Sequence, residues 1–308
     1  MRPITAVLFD FAGTLLVPES REAWVAAACP ELPPAEVAGL AEALERAGRS
    51  GGPEPEVLPA HWAEAYSQRD LSGAQHRALY EGLMSTVTGA GTERTRRLYD
   101  RGLDARGWVA YPDAAGVLQA LGDRDIPVAV VSNAGFDLRP LFAGHGLASL
   151  VGAFVLSFEV GVMKPSREIF RRACEALGAD PLDCLMVGDN PRADAAACDV
   201  GIRTLLLPYS RPGAPHGLAA VLDLVPKSRT KYGRRPAQPT GGDMPAEEHD
   251  TDAEHPDAAA IAEAMAVYSA DGQADDATGG DAGAEALKTE QSTKADPDED
   301  LQMPHGPS

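Results

Sequence analysis

The residues of this chain that can do chemistry stand at the ends of apolar runs. Val7-Leu8-Phe9 leads into Asp10, which is followed by Phe11-Ala12-Gly13-Thr14. Val130-Val131 leads into Ser132-Asn133. Val187-Gly188 leads into Asp189-Asn190, with Asp194 five residues after Asp189. Between them, Val162-Met163 precedes Lys164-Pro165, and Lys164 is the first lysine of the whole chain. A carboxylate at the tip of a buried strand and before a glycine turn faces a crevice, not the core. Carboxylates with carbonyl oxygens suit a hard divalent cation, and a lysine, a hydroxyl and an amide suit an anion.

The elements that must hold these groups follow from the same apolar runs. Ala6 to Phe11, Pro127 to Ser132, Phe154 to Phe158, Leu185 to Gly188 and Thr204 to Leu207 are too short for helices. They lack polar alternation, as parallel strands covered on both faces do. Helical stretches separate the later ones. Ser166 caps a helix with Ile169, Phe170, Ala173 and Leu177 on one side, ending at Gly178. Pro112-Asp113 opens another, with Val117, Leu118 and Leu121 inward and Gly122 near its end. This alternation predicts an α/β fold, a doubly wound parallel sheet.

More than a hundred residues with little strand character lie between the first two strands. Val37, Leu40, Ala41 and Leu44 recur at helical spacing, as do Leu79, Leu83 and Val87, and a break at 48–53 divides the region. Residues 16–108 are expected to form an inserted small helical cap over the ligand crevice, with the core built from 1–15 and 109–226. The 308 residues carry 46 acids and 27 bases, but 18 of those acids and only two bases lie between Ala237 and Ser308. Residues 227–308 are therefore expected to be a linker and a disordered acidic tail, with a short helical tendency over Ala258–Met265. The nearly neutral remainder speaks against nucleic acid as a partner. No apolar run approaches a membrane span, and Cys29, Cys174, Cys184 and Cys198 form no CxxC pair. The expectation is a soluble cytoplasmic protein with reduced, buried cysteines. Nothing in the sequence fixes its oligomeric state.

The four polar tips, in this order and spacing, resemble the motifs of the haloacid dehalogenase-like hydrolase superfamily over about the first 225 residues. The resemblance implies a Rossmann-like core and a small helical cap that closes over the substrate. It implies Asp10 as nucleophile, Ser132 as a holder of a phosphoryl oxygen, and Lys164 as the cation that neutralises charge at the nucleophile. It further implies Mg²⁺ held by Asp189, with Asp194 supporting. The physical logic agrees. A carboxylate attacks phosphorus and splits hydrolysis into two steps once the phosphoryl charge is neutralised. Asp10, Asp189 and the Ala12 backbone carbonyl form a sufficient Mg²⁺ ligand set. Gly13 and Thr14, through their backbone N–H groups, and Asn133 complete the expected phosphate-binding set.

The departure is Ala12, where most phosphatases resembling this chain carry a second aspartate that protonates the leaving group. Losing such help costs on the order of 10²–10⁴ in rate. The reading is nonetheless Mg²⁺-dependent hydrolysis of a small phosphorylated metabolite through an aspartyl phosphate on Asp10. The alternatives are 2-haloacid dehalogenation, whose leaving group needs no proton, and a non-catalytic phosphate- or metabolite-binding descendant. A phosphonoacetaldehyde hydrolase would need a cap lysine, and none precedes Lys164. In the cap, Arg49, His76 and Tyr80 are candidates for substrate contact, and His61 and His76 for a proton source.

Overall fold

In the computed structural model, residues 2–208, 210 and 212–227 are described. The expected tail, with its basic start and its Ala258–Met265 helical tendency, lies beyond Lys227 outside the described residues.

Strand β1 (Ala6–Phe9) is the middle of a five-stranded sheet. The chain then makes β2 (Leu16–Pro18), α1 (Arg21–Ala28), α2 (Pro34–Ala47), α3 (Ala63–Ser67), α4 (Gly73–Thr88) and α5 (Glu93–Leu103). It returns through β3 (Trp108–Ala110), α6 (Ala114–Asp123), β4 (Val128–Ser132), α7 (Arg139–Gly144) and β5 (Ala153–Leu156). Helices α8 (Ser157–Val160) and α9 (Arg167–Ala176) lead to β6 (Cys184–Gly188), β7 (Arg203–Leu206) and α10 (Val221–Leu224). The order β5-β4-β1-β6-β7 is parallel throughout, with Phe9 opposite both Val130 and Val187. That register brings the C-terminal tips of β1, β4 and β6 level. The chain leaves β1 for one side of the sheet and later fills the other, which makes its tip a switch point where ligands bind.

Both faces of the sheet are covered, and residues alternate between them. Val7, Phe9, Val128, Val130, Leu185 and Val187 join a cluster closed by α6, α7 and α10. Leu8, Ala129, Val131 and Met186 point the other way onto Ile169, Phe170 and Ala173 of α9. Ser166 caps α9 through the Glu168 N–H. Asp113 precedes α6 but spends its carboxylate on the amides of His216, Gly217 and Leu218, clamping the C-terminal segment instead. Helices α1, α2, α4 and α5 bury a separate apolar cluster around Trp24, Leu44, Leu79, Leu83 and Leu98.

Four details differ from the sequence reading. First, β1 stops at Phe9 because the Phe11 carbonyl accepts the amides of Thr14, Leu15 and Leu16 and turns the chain. Second, β2 and β3 form an antiparallel ribbon across the expected core–cap junctions, each strand too short to leave a sequence signal. Third, β5 ends at Leu156, and Ser157 already begins α8. Fourth, Cys198 is exposed, unlike the buried Cys29, Cys174 and Cys184. Phe170 is fully buried against the sheet, so Phe170→Ala should cost about 3–5 kcal/mol in denaturant unfolding. A cost under about 1 kcal/mol would mean that α9 is not part of the core.

Candidate active site

The turn after β1 positions the first carboxylate. Asp10 donates its N–H to the Val187 carbonyl, 2.9 Å away, so β6 fixes its backbone. Its Oδ1 accepts from the Phe11 N–H and from Lys164 Nζ, both at 2.7 Å. Among the described residues, Oδ2 accepts no hydrogen bond. Gly13 has φ +86°, and a Cβ there would overlap the Asp189 carboxylate, so only glycine lets the two loops approach. Gly188 is constrained in the same way by the Asp194 carboxylate.

Lys164 is buried, with Nζ at 2.7 Å from both Asp10 and Asp194. Burial alone would lower its pKa. Asp10 and Asp194 outweigh that and hold the ammonium up at about 12. Asp10 moves the other way from its usual range. Burial, with Asp194 and Asp189 adding to it, raises its pKa against the pull of Lys164. Burial also raises Asp189, while the Thr14 hydroxyl, 3.1 Å away, opposes the rise.

Asp194 is wholly buried, and both its oxygens are occupied, Oδ1 by Lys164 and Oδ2 by the Asn190 N–H at 3.0 Å. It therefore holds both the lysine and the turn after β6, and its remaining lone pairs leave it able to support an ion. Ligand atoms of Asp10, Asp189 and Asp194 lie within 4.8 Å of one another. Three carboxylates around one ammonium leave two uncompensated negative charges. The carboxylate oxygens not engaged by donors, on Asp10 and Asp189, are hard ligands of the kind that suit a small divalent cation.

The other expected phosphate contacts divide. Ser132, at the tip of β4, lines the cleft and its hydroxyl donates to no described acceptor. The Asn133 side chain is spent on the Lys164 backbone, accepting its N–H at 2.7 Å and donating to its carbonyl at 2.9 Å. The Gly13 and Thr14 amides are also spent, on the Leu16 and Phe11 carbonyls. The expectation that these amides cradle an anion is corrected by this turn. The Ala12 N–H is the one in the loop with no described acceptor.

A cleft of about 840 Å³ opens over these groups, with Arg49, Arg69, Asp70, His76 and Tyr80 among its lining residues. His61 is not among them. Arg49 is buried over the Trp24 ring and pairs with Glu45 at 3.2 Å. His76 is hydrogen-bonded to Tyr99 Oη at 2.7 Å and Ser50 Oγ at 3.1 Å, and burial lowers its pKa to about 3. It is a neutral ring holding α4, α5 and the 48–53 break together. Burial pushes the Tyr80 phenol up, so it stays protonated. Arg69 and Asp70 had no signal in the sequence, since they lie in a short loop without periodicity or motif.

Removing the ammonium tests this electrostatic description. Lys164→Ala leaves Asp10 and Asp194 buried without a cation and should cost about 3–5 kcal/mol at pH 8. Because the orphaned carboxylates then bind protons in the folded state, the deficit should shrink on going to pH 5. Thermal melts of both proteins at the two pH values read this directly. An unchanged melt at pH 8 would contradict it.

Comparison with known proteins places this geometry. The model of the haloacid dehalogenase-like hydrolase family matches residues 4–199. A phosphoserine phosphatase of Thermus thermophilus is 32% identical over 160 residues, covering 51% of this chain and 60% of that protein. The chain thus spans about three fifths of that relative's length. A plasmid-encoded phosphoglycolate phosphatase of Cupriavidus necator is 28% identical over 223 residues, covering 71% of this chain and 87% of that protein. In fold, the chain is similar to a dehalogenase crystallised with an intermediate complex, at TM-score 0.52 and 18% identity, covering 73% of this chain and 98% of that one. With the family model matching well over half of its length and the four polar tips converging at one end of the sheet, this chain belongs to the haloacid dehalogenase-like hydrolases.

Proposed function

We propose that the protein is a phosphatase that hydrolyses phosphomonoesters of small metabolites by nucleophilic attack from Asp10. The observation that carries this reading is the unengaged Oδ2 of Asp10, held by Lys164 through its other oxygen and beside the Asp189 carboxylate. Helices α1 to α5, within residues 16–108, would act as the cap. The relatives named for phosphoserine and phosphoglycolate support a small phosphorylated substrate with a charged remainder.

In the first half-reaction Asp10 Oδ2 attacks phosphorus and the bond to the ester oxygen breaks, giving an aspartyl phosphate and an alcohol. Lys164 offsets negative charge at the nucleophile, and the Ser132 hydroxyl and the Ala12 N–H donate to phosphoryl oxygens. In the second half-reaction water attacks phosphorus and Asp10 leaves as a free carboxylate. Asp10, Asp189 and the Ala12 carbonyl would hold Mg²⁺, whose contribution would be to neutralise phosphoryl charge. Asp194 and Asn133 act one step back, by fixing Lys164.

Ala12 favours one second reading, carbon–halogen hydrolysis, because a halide departs without a proton. The carboxylate set weighs against it, since displacement of halide gains nothing from a divalent cation. Hydrolysis of an activated aryl phosphate should require Mg²⁺, stop with EDTA and fall to background in Asp10→Asn. Halide release from a 2-haloacid that survives EDTA would replace the phosphatase reading with the second one. Turnover in neither assay would leave only a binding function.

Cation binding can be tested without turnover. Because Asp10 and Asp189 both have raised pKa values, a cation competes with protons there, and its stabilisation should be larger at pH 8 than at pH 5. At about 100-fold excess over Kd the gain at the higher pH is about 2.7 kcal/mol. Melting with and without Mg²⁺ should show this for the wild type and not for Asp189→Asn. An equal shift in Asp189→Asn would place the cation elsewhere.

A further inference from the structure

Resting on the phosphatase reading, we propose that Asp70 is a catalytic residue. It would be the acid that protonates the departing alcohol and the base that then activates water, in place of the side chain that Ala12 lacks. Asp70 lines the same cleft as Asp10, Ser132 and Lys164. Its carboxyl is buried, with Arg69 Nε at 3.6 Å and His76 Nε2 at 3.8 Å, both beyond hydrogen-bond distance. Among the described residues no donor satisfies it. A largely buried carboxyl with no hydrogen-bond donor within reach, and the Arg69 ion pair at 3.6 Å as the nearest contact favouring its charge, is biased toward the neutral form, the one that can give a proton. Burial accordingly raises its pKa, against the opposing pull of Arg69 and Lys164.

The loop that carries it is fixed to the phosphoryl end of the sheet. The Asp70 carbonyl accepts from Ser157 Oγ at 2.5 Å, and that same oxygen accepts the Ala134 N–H at 3.0 Å. Ala134 follows Ser132-Asn133 directly. Three residues beyond Asp70, Gly73 lies so close that a Cβ would reach the Gly135 carbonyl at 3.2 Å. The Asp70 backbone is thus tethered beside the loop that follows β4, whereas position 12 lies in the turn after β1. His76 is too weak a base to share the task, with both ring nitrogens engaged and its pKa near 3.

The proton balance closes over the two half-reactions. As the ester P–O bond breaks, the Asp70 carboxyl proton passes to the leaving oxygen and the alcohol departs. Asp70 carboxylate then takes a proton from the water that attacks the aspartyl phosphate. Inorganic phosphate leaves, Asp10 is freed as a carboxylate, and Asp70 is protonated again.

The leaving group separates this role from a structural one. An alkyl phosphate needs the proton and p-nitrophenyl phosphate largely does not. Asp70→Asn should therefore lower kcat/KM on alkyl phosphates on the order of 10²–10⁴-fold while changing kcat/KM on the aryl ester by less than about tenfold, and kcat on both should fall because water loses its base. The Ala12→Asp change should restore alkyl turnover in the Asp70→Asn protein, and in that background residue 70 should cease to matter. An equal loss of kcat/KM on both substrates, or no rescue by Ala12→Asp, would overturn the role of Asp70 and leave the nucleophile reading intact. Absence of Asp10-dependent turnover on p-nitrophenyl phosphate in the wild type would overturn both. Should Asp70→Asn melt far below the wild type, the same ratio measured in Asp70→Glu, which keeps the acid, must stay within about tenfold of wild type for the proposal to stand.

Discussion

Lys164 places one positive charge 2.7 Å from Asp10 and 2.7 Å from Asp194, in a region from which water is nearly excluded. Three carboxylates from two loops could not share that volume without it, because the desolvation of each ion is worth several kcal/mol. The rest of the site serves this ammonium. Asn133 clamps its backbone from the tip of β4, and Asp194 grips its head from the turn after β6. The Asn190 N–H in turn fixes Asp194, and Gly188 leaves the room that Asp194 needs. The consequence is an Asp10 carboxylate with one oxygen restrained and the other open, beside the Asp189 carboxylate.

The cleft above combines opposite charges that are already paired with apolar and neutral polar walls. Arg49 is tied to Glu45 and lies on Trp24, while His76 is locked between two hydroxyls. These contacts make Arg49 and His76 part of the frame that gives the cleft its shape. Ser157, at the junction of β5 and α8, joins this frame to the sheet through Asp70 and Ala134. One buried hydroxyl thereby couples the helical segment to the loop that follows Ser132.

The sheet was legible because parallel strands buried on both faces read as uninterrupted apolar runs, and all five such runs became its strands. The polar groups at their tips were legible for the same reason, since a run that ends in Asp10 or Asp189 has only one place to put the carboxylate. What the sequence could not carry was the allocation of donors and acceptors among those tips. Thr14 and Asn133 have the chemistry of ligand contacts, yet one is spent on Asp189 and the other on the Lys164 backbone. That allocation depends on distances between loops 175 and 31 residues apart. The three-residue strands β2 and β3 and the Arg69-Asp70 loop were hidden differently, being too short for any periodicity to register.

The proposed mechanism requires that Asp10 become covalently phosphorylated during turnover. Acid-quenching the protein in the presence of an aryl phosphate, then digesting and sequencing by mass spectrometry, tests it most directly. The account predicts a phosphoryl group on the peptide that contains Asp10, located at that side chain and absent without substrate. Steady turnover with an unmodified Asp10, or with the phosphoryl group on another residue, would contradict it.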